Sequence, residues 1–375
     1  MKICMLTTIH PPFDTRIFHK ESKSLLKAGH SVTIVAPHDS AYKKNVDGID
    51  IVTVKRPGSK ILHPITLMRV FIAGLRQDCD VYHCHEPGSL FVCTLLKLLR
   101  QTKLVYDAHE HYPSLIAENT LFPHQLKFFV QVIVDKTEKS LCYFTDYIIT
   151  VNVTLKNRFN LLNNTIILFN VPILTLFNKE EKAHEDCHIL IYEGNVNKKR
   201  GLDKLLVSLK DIRQKIPDIK LLIVGTISDT EEFKMCVNIY IKNNNLDKNI
   251  EITNWIPHED VVKYIKKSEI GFLLFQPTYY NNLIGLPNKL FEYMACEIPV
   301  IASDFPEIRN IVQEEKCGIL LDPTDTKKIT AAVIWLLDHP VEAKQMGENG
   351  RKAVEEKYNW EIMEKRLFEL YEEIE

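Results

Sequence analysis

The sequence predicts an α/β protein made of two similar halves, each wound around a parallel sheet. Three observations carry that reading. The chain has 375 residues, enough for two domains at about 100–200 residues each. Apolar runs of four to six residues alternate with helical stretches along both halves, the mark of parallel strands buried on both faces. The alternation breaks once, around Asn170–Pro172, before a charged, turn-like linker at Asn178–Asp186 (NKEEKAHED).

In the first half, Lys2–Thr7 (KICMLT) reads as a strand and Ile17–Ala28 as an amphipathic helix stopped by Gly29. Ser31–Ala36 and Ile49–Val54 are strands, Ile65–Gln77 a helix, and Val81–His83 a short strand. Leu90–Leu99 is helical, Lys103–Asp107 (KLVYD) a strand, Gln125–Phe144 a longer helix, and Tyr147–Val151 and Thr165–Phe169 close the half as strands. In the second half, His188–Tyr192, Lys220–Val224, Ile250–Thr253, Ile270–Phe275 and Val300–Ala302 read as strands. Gly201–Lys215, Glu231–Asn243, Asp260–Lys267, Pro287–Met294, Thr326–Leu337, Val341–Val354 and Trp360–Glu373 read as helices. The parse gives domains at 1–175 and 187–357, with an active site expected in a cleft between them, beyond the carboxyl ends of the strands.

Composition narrows the class. At 45% hydrophobic and 26% charged residues the chain is an ordinary globular protein, not a disordered one. No apolar stretch approaches the roughly 18–20 residues of a membrane helix; the Phe128–Val134 run is too short. The first residues lack the apolar core and cleavage site of a signal peptide, so a cytoplasmic protein is expected. The 9 cysteines are odd in number and form no CxxC pair, which argues for buried small hydrophobes rather than disulfides or a zinc site. A net charge of −2 hides an asymmetry: residues 1–170 hold 20 basic and 14 acidic residues, a net of +6, and the remainder nets −8. A basic half could face an anionic membrane or a phosphorylated acceptor, or could be no more than unequal surface composition.

The chemistry-bearing residues follow strands. After the first strand, His10, Asp14 and Arg16 sit on a proline-stiffened loop entering a helix N-terminus, a place suited to phosphate; Asp14 or Thr15 could equally cap that helix. No GxGxxG fingerprint is present. Two histidine-rich turns, Val81-Tyr-His-Cys-His-Glu86 and Val105-Tyr-Asp-Ala-His-Glu-His111, fall at one edge of the sheet. Their spacing matches no common metal site, so no metal is expected and one or two of these side chains should hydrogen-bond a polyhydroxylated ligand, His109 before the others. In the second half, Gly194 lets a ligand approach the backbone. Lys198, Lys199 and Arg200 crowd a helix start, where the dipole favours anions; a bound phosphate or a plain solvated loop would explain them. In Pro287-Asn-Lys-Leu-Phe-Glu292, Asn288 and Glu292 share a helix face beside Lys289. A carboxylate there can accept both hydroxyls of a ribose, while Lys289 and free N–H groups hold a diphosphate.

Taken together, Ile9-His-Pro-Pro-Phe-Asp14, Asp107-Ala-His-Glu110, Gly194 with Arg200-Gly201, Pro287-Asn-Lys-Leu-Phe-Glu-Tyr-Met294 and Ile298-Pro-Val-Ile-Ala302 make the chain resemble glycosyltransferase family 4. The resemblance spans nearly the whole chain. It implies the GT-B fold: two Rossmann-like doubly wound domains facing across a cleft, with a C-terminal helix over 358–375, announced by Tyr358-Asn-Trp-Glu361, crossing back to the N-terminal domain. It implies a retaining, metal-independent hexosyl- or N-acetylhexosaminyl-transferase with no cofactor. His109 would contact the donor sugar, Arg200 (where the family usually has Lys) and Lys289 the leaving diphosphate, and Glu292 the ribose. Asp14, Arg16, Glu110, Gly194, Asn195 and Asn288 would complete the substrate contacts. Two positions depart from the family: Ile284 replaces the first glutamate of its Glu-x7-Glu pattern, and Asn195 replaces a basic residue.

The expected donor is a nucleoside-diphosphate sugar, a UDP-sugar first. The expected acceptor is a hydroxyl of a glycan or lipid-linked molecule in cell-surface polysaccharide or glycolipid synthesis. The acceptor should sit on the basic half, whose Lys55, Arg56, Lys60, Arg69, Arg76, Lys97, Arg100 and Lys103 suit peripheral contact with the inner face of an anionic membrane; no nucleic-acid partner is expected. Two alternatives stand beside this reading: a nucleotide-sugar epimerase of the same fold, and a non-catalytic nucleotide-sugar-binding protein, which Ile284 and Asn195 would favour.

Overall fold

A computed structural model describes residues 1–118, 123–160, 162, 164–177 and 187–375; the expected linker at Asn178–Asp186 lies outside them. The chain divides into two compact units, Met1–Asn170 with Ile362–Glu375, and Val171–Glu361.

The first unit is built on eight strands: β1 (Lys2–Leu6), β2 (Ser31–His38), β3 (Lys43–Val46), β4 (Ile49–Lys55), β5 (Val81–Cys84), β6 (Lys103–Ala108), β7 (Tyr147–Thr150) and β8 (Thr165–Ile167). They lie in the order β3-β4-β2-β1-β5-β6-β7-β8, parallel except for β3, which pairs antiparallel with β4. Every residue of β5 and β7 is buried, as continuous apolar runs in a doubly covered sheet must be. The sequence pattern does not reveal β3, because KKNV has no apolar face to repeat. What makes it is the turn: Asp47 and Gly48 adopt φ of +53° and +86°, the left-handed pair that closes a two-residue hairpin.

Among the described residues, the helices around this sheet include α1 (Thr15–Ser22 continuing into Lys23–Lys27), α2 (His63–Leu75), α3 (Pro87–Arg100), α4 (Tyr112–Ala117), α5 (Lys127–Cys142) and α6 (Val153–Arg158). The first turns of α1 are wound wide, as a π-helix. Helix α2 packs on α3 and α3 on α5, and Val70, Leu90, Leu96 and Cys142 of that layer share one core with Leu6 and Tyr106 of the sheet. The end of the chain belongs to this unit. His83 and the Tyr371 hydroxyl are 2.9 Å apart, and Lys27 donates to Glu364 at 2.7 Å.

The second unit has six parallel strands, β9 (Ile189–Glu193), β10 (Lys220–Val224), β11 (Ile250–Asn254), β12 (Ile270–Leu273), β13 (Val300–Ser303) and β14 (Gly318–Leu321), in the order β11-β10-β9-β12-β13-β14. Its helices are α7 (Leu202–Lys215), α8 (Glu231–Asn243), α9 (His258–Lys267), α10 (Tyr280–Ile284), α11 (Asn288–Ala295), α12 (Pro306–Glu315), α13 (Thr326–Asp338) and α14 (Pro340–Glu356); α15 (Trp360–Ile374) runs from here into the first unit. Leu190, Tyr192, Leu205, Leu209, Leu221 and Phe272 are fully buried in its core. The short elements β14, α10 and α12 escape a reading by periodicity, since four to ten residues give too few repeats to register. Among the described residues no helix is long and apolar enough to cross a membrane.

Candidate active site

In the first unit the polar residues gather where the sheet geometry directs, at the carboxyl ends of β1, β5 and β6. Glu86, at the N-terminus of α3, is fully buried. Its carboxylate accepts from the Thr8 hydroxyl at 2.7 Å, from the Thr7 hydroxyl at 3.0 Å and from the Thr8 N–H. One side chain thus ties the loop after β1 to the loop after β5.

Asp14 and Arg16, both expected at a ligand, have other work. Asp14 caps α1: its Oδ1 accepts from the N–H groups of Arg16 at 2.8 Å and Ile17 at 3.1 Å, and Oδ2 lies 3.4 Å from His10. Burial would raise its carboxyl, but His10 and the two N–H groups outweigh that and hold it far below the usual carboxylate range. Arg16 is buried and faces inward. Its Nε donates to Asp107 at 2.8 Å and its Nη2 at 3.2 Å, while Nη1 donates to the Leu168 carbonyl at 3.2 Å. With its guanidinium so occupied, Arg16 supports the site from within.

His109 is the group this support reaches. Its Nε2 sits 2.8 Å from Oδ2 of Asp107, with 14% of its side chain exposed. Burial works to raise Asp107, but Arg16 and His109 prevail and keep it ionised. An ionised carboxylate only accepts, so Nε2 carries the proton that faces Asp107. The rings of His10 and His85 stand 5.6 and 5.5 Å from it. Glu110, next in sequence, is exposed.

Beneath His109 the two histidine turns converge, which spacing alone does not reveal. One ligating atom from each of Glu21, His83, His85 and Asp107 lies within 4.8 Å of the other three, all four residues being fully buried. His83 and His85, two apart on a strand and so on one face, stack at 4.7 Å. This donor set could hold a cation, but Arg16 already stands there, its Nε 2.8 Å from Asp107 and 2.9 Å from Glu21. Burial pushes the Glu21 carboxyl well up, with Asp107 adding to it, and pushes both histidines down. The Arg16 guanidinium thus pairs with Asp107, while burial favours the protonated form of Glu21 and the neutral form of both imidazoles.

The second unit presents cations instead. The loop after β9 passes through Gly194, open to solvent at φ +94°, and exposed Asn195 to a short 3-10 turn at Lys198–Arg200. Asn197 caps that turn by accepting from the Arg200 N–H at 3.0 Å. Gly201 then needs to be glycine: its φ is +85° and a Cβ would stand 2.3 Å from the Leu274 carbonyl oxygen. This holds Arg200 over the ring of Phe275, 4.8 Å from its centroid.

Helix α11 brings the partner groups. Lys289, in its first turn, is 5% exposed; its Nζ lies 4.3 Å from the centroid of Tyr192 and 5.7 Å from that of Phe275. Nζ donates to the Glu193 carbonyl at 3.3 Å. Burial lowers the Lys289 amine to about 7, Glu193 and Glu292 opposing this and Arg200 adding to it. The Asn288 Oδ1 is buried without a hydrogen-bond partner. Glu292 is buried one turn on, and Ile284 is packed inside rather than presented to a ligand. Sequence reasoning missed Glu21, Glu86 and Asp107, and in this unit Tyr293, whose hydroxyl accepts from the Glu193 N–H at 3.2 Å. A depression of about 700 Å³ lined by Cys187, Arg213 and Lys220 lies at the amino ends of the strands, the wrong end for a ligand of such a sheet.

Two Rossmann-like α/β units, the first completed by the last helix of the chain, make the GT-B architecture. Residues 15–163 match the family described as Glycosyltransferase Family 4, and residues 175–353 match Glycosyl transferases group 1. Both matched families are glycosyltransferases, and the two matches together span most of the chain. It is 24% identical over 374 residues to the uncharacterized glycosyltransferase MJ1069 of Methanocaldococcus jannaschii, covering 92% of this chain and 90% of that one. Its fold is similar to that of sucrose-phosphate synthase (tll1590) from Thermosynechococcus elongatus, with TM-score 0.82, 17% identity and coverage of 100% and 98%. It is also similar to Anabaena Alr3699/HepE in complex with UDP-glucose, with TM-score 0.73, 12% identity and both chains covered in full.

Proposed function

We propose that the protein transfers a sugar from a nucleoside-diphosphate sugar, a UDP-sugar first, to a hydroxyl of a glycan or lipid-linked acceptor, with retention of anomeric configuration. The observation that carries the reading is the pair Arg200 and Lys289, both set over the ring of Phe275 at the mouth of α11. A buried lysine held near 7 beside a guanidinium is an incomplete arrangement that a diphosphate would complete. The fold neighbour crystallised with UDP-glucose supports the same class of donor.

In this reading Arg200, Lys289 and the N–H groups that open α11 hold the diphosphate, and Asn288 and Glu292 hold the nucleoside. Gly194 and Asn195 line its approach. His109, oriented by Asp107, contacts the sugar hydroxyls, with exposed Glu110 beside it. As the bond from C1 to the diphosphate oxygen breaks, the acceptor oxygen bonds to C1 on the same face and gives its proton to the leaving phosphate. Fixed cations meet the charge that develops, so the account invokes no metal ion.

Thermal unfolding with UDP, GDP, ADP and their sugars tests the donor. A ligand at about 100 times its dissociation constant adds about 2.7 kcal/mol of stability, and the nucleotide that does so identifies the base. Product analysis follows. Transfer to an acceptor supports the reading; conversion of the sugar without acceptor favours an epimerase, and binding without turnover a non-catalytic protein. His109→Ala should lower kcat more than it weakens donor binding.

A further inference from the structure

Among the described residues, the outward side of the α2–α3–α5 layer gathers many exposed large apolar side chains. Its inner residues fill the core of the first unit, yet the opposite side carries large apolar groups in the open. Helix α2 exposes Ile65, Met68 and Ile72, and α3 exposes Phe91, Leu95, Leu98 and Leu99. Helix α5 exposes Phe128 at 68%, Phe129 at 62% and Ile133 at 63%. Three neighbouring helices on one face of a sheet point their exposed residues the same way, so these groups make one surface. In the second unit, by contrast, α8 exposes Met235 and Ile239, α13 Trp335 and α14 Val341, no more than two on any one of these helices.

The charges on this surface are mainly of one sign, and the exposed acids beside it, Asp78 and Glu118, are paired with Lys2 and Lys127. Helices α2 and α3 contain no Asp or Glu, while Arg69, Arg76, Arg100 and Lys136 are exposed on or beside the layer. The two acids of α5, Asp135 and Glu138, are ion-paired with Arg158 at 2.8 and 2.5 Å. We propose that the α2–α3–α5 face docks the protein onto an anionic lipid bilayer, its apolar side chains entering the headgroup region and its cations meeting lipid phosphates. A second copy fits less well: an isologous dimer on this face would set cations against cations, the neighbouring acids being already paired. The contact is peripheral, since among the described residues no helix can span a membrane. It deepens the proposed function by placing the enzyme where a lipid-linked acceptor resides, and rests on that reading only for its purpose.

Vesicle flotation of the full chain tests it, with phosphatidylcholine alone and with about one third phosphatidylglycerol. Binding to the anionic vesicles is expected in low salt, weakened several-fold but not abolished by high salt, because screening removes the charge contribution and leaves the apolar one. Phe128→Ser with Phe129→Ser, and separately Leu98→Ser with Leu99→Ser, should each lower binding at least tenfold while leaving thermal unfolding and the nucleotide-sugar shift unchanged. No binding of the wild type in low salt, or full binding by both double variants, would overturn the proposal. So would a wild-type dimer, seen by sedimentation, that either double variant makes monomeric. Donor binding is read without lipid and vesicle binding without donor, so each can fail alone.

Discussion

The two units solve opposite electrostatic problems. In the first, Arg16, Asp107 and Glu21 are buried together and balanced among themselves, so the platform beneath His109 is complete before any ligand arrives. In the second, Lys289 is buried against aromatic rings and near Arg200 at a cost that lowers its own amine to about 7. Glu193 and Glu292 restore only part of the charge it would carry in water. One unit is preorganised and the other is poised for an anion; under the proposed function, the first orients a sugar and the second stabilises a leaving group.

The largest effect should come from breaking the balance in the first unit. Asp107→Asn leaves Arg16 without its ionised partner and should cost about 3–5 kcal/mol of stability, the range for breaking a buried pair, read as a drop in the urea midpoint. A loss below about 1 kcal/mol would mean that Glu21 ionises and takes over, and that the preorganisation is shallow. Next is the second unit's lysine. Lys289→Met keeps the stem and removes the amine, so stability should hold or rise, while affinity for the nucleotide-sugar falls about 100-fold, or 2.7 kcal/mol.

How far these arrangements could be read from sequence differs in the same way. The cations of the second unit were legible, because Arg200 and Lys289 stand in turns after strands and in a Pro-initiated helix, features that single residues announce. The parallel strands of both sheets were legible from continuous apolar runs. The network of the first unit was not. Arg16 and Glu21 are five apart, a spacing that shares no face in an α-helix but does in the wide π-wound opening of α1. Asp107 looked like the polar end of a strand, and its role depends on residues from α1 and β5 that only the fold brings near. The hairpin strand β3 carried a signal that was available, the Asp47-Gly48 pair.

Two smaller changes sharpen the comparison. Gly201→Ala introduces a Cβ 2.3 Å from a carbonyl oxygen at φ +85° and should destabilise the protein by about 2 kcal/mol. Because Gly201 sets the turn that carries Arg200, donor affinity should fall with it, whereas the His109 platform should be unaffected. Asp14→Ala removes the cap of α1 and should cost about 1 kcal/mol, with a pH dependence of its own. The folded Asp14 carboxyl is lowered, so its contribution is present above about pH 4, the unfolded value, and lost as pH falls through the folded value. For His10, burial opposes the shift but Asp14, Glu86 and Glu110 raise it, so its contribution is full below about pH 6.5 and lost as pH rises through the folded value. The gap in melting temperature between wild type and Asp14→Ala should therefore be widest at about pH 4–6.5 and narrower at pH ~8.

The most direct measurement is proton uptake on donor binding, by titration calorimetry at about pH 8 in two buffers of different ionisation enthalpy. With its amine held near 7, Lys289 is largely neutral at that pH, and a bound diphosphate should recharge it. An intact nucleotide-sugar has no phosphate ionisation near this pH, so close to one proton should be taken up per ligand, and none by Lys289→Met. Binding with the same enthalpy in both buffers would contradict the account, for the diphosphate would then lie elsewhere than on Lys289.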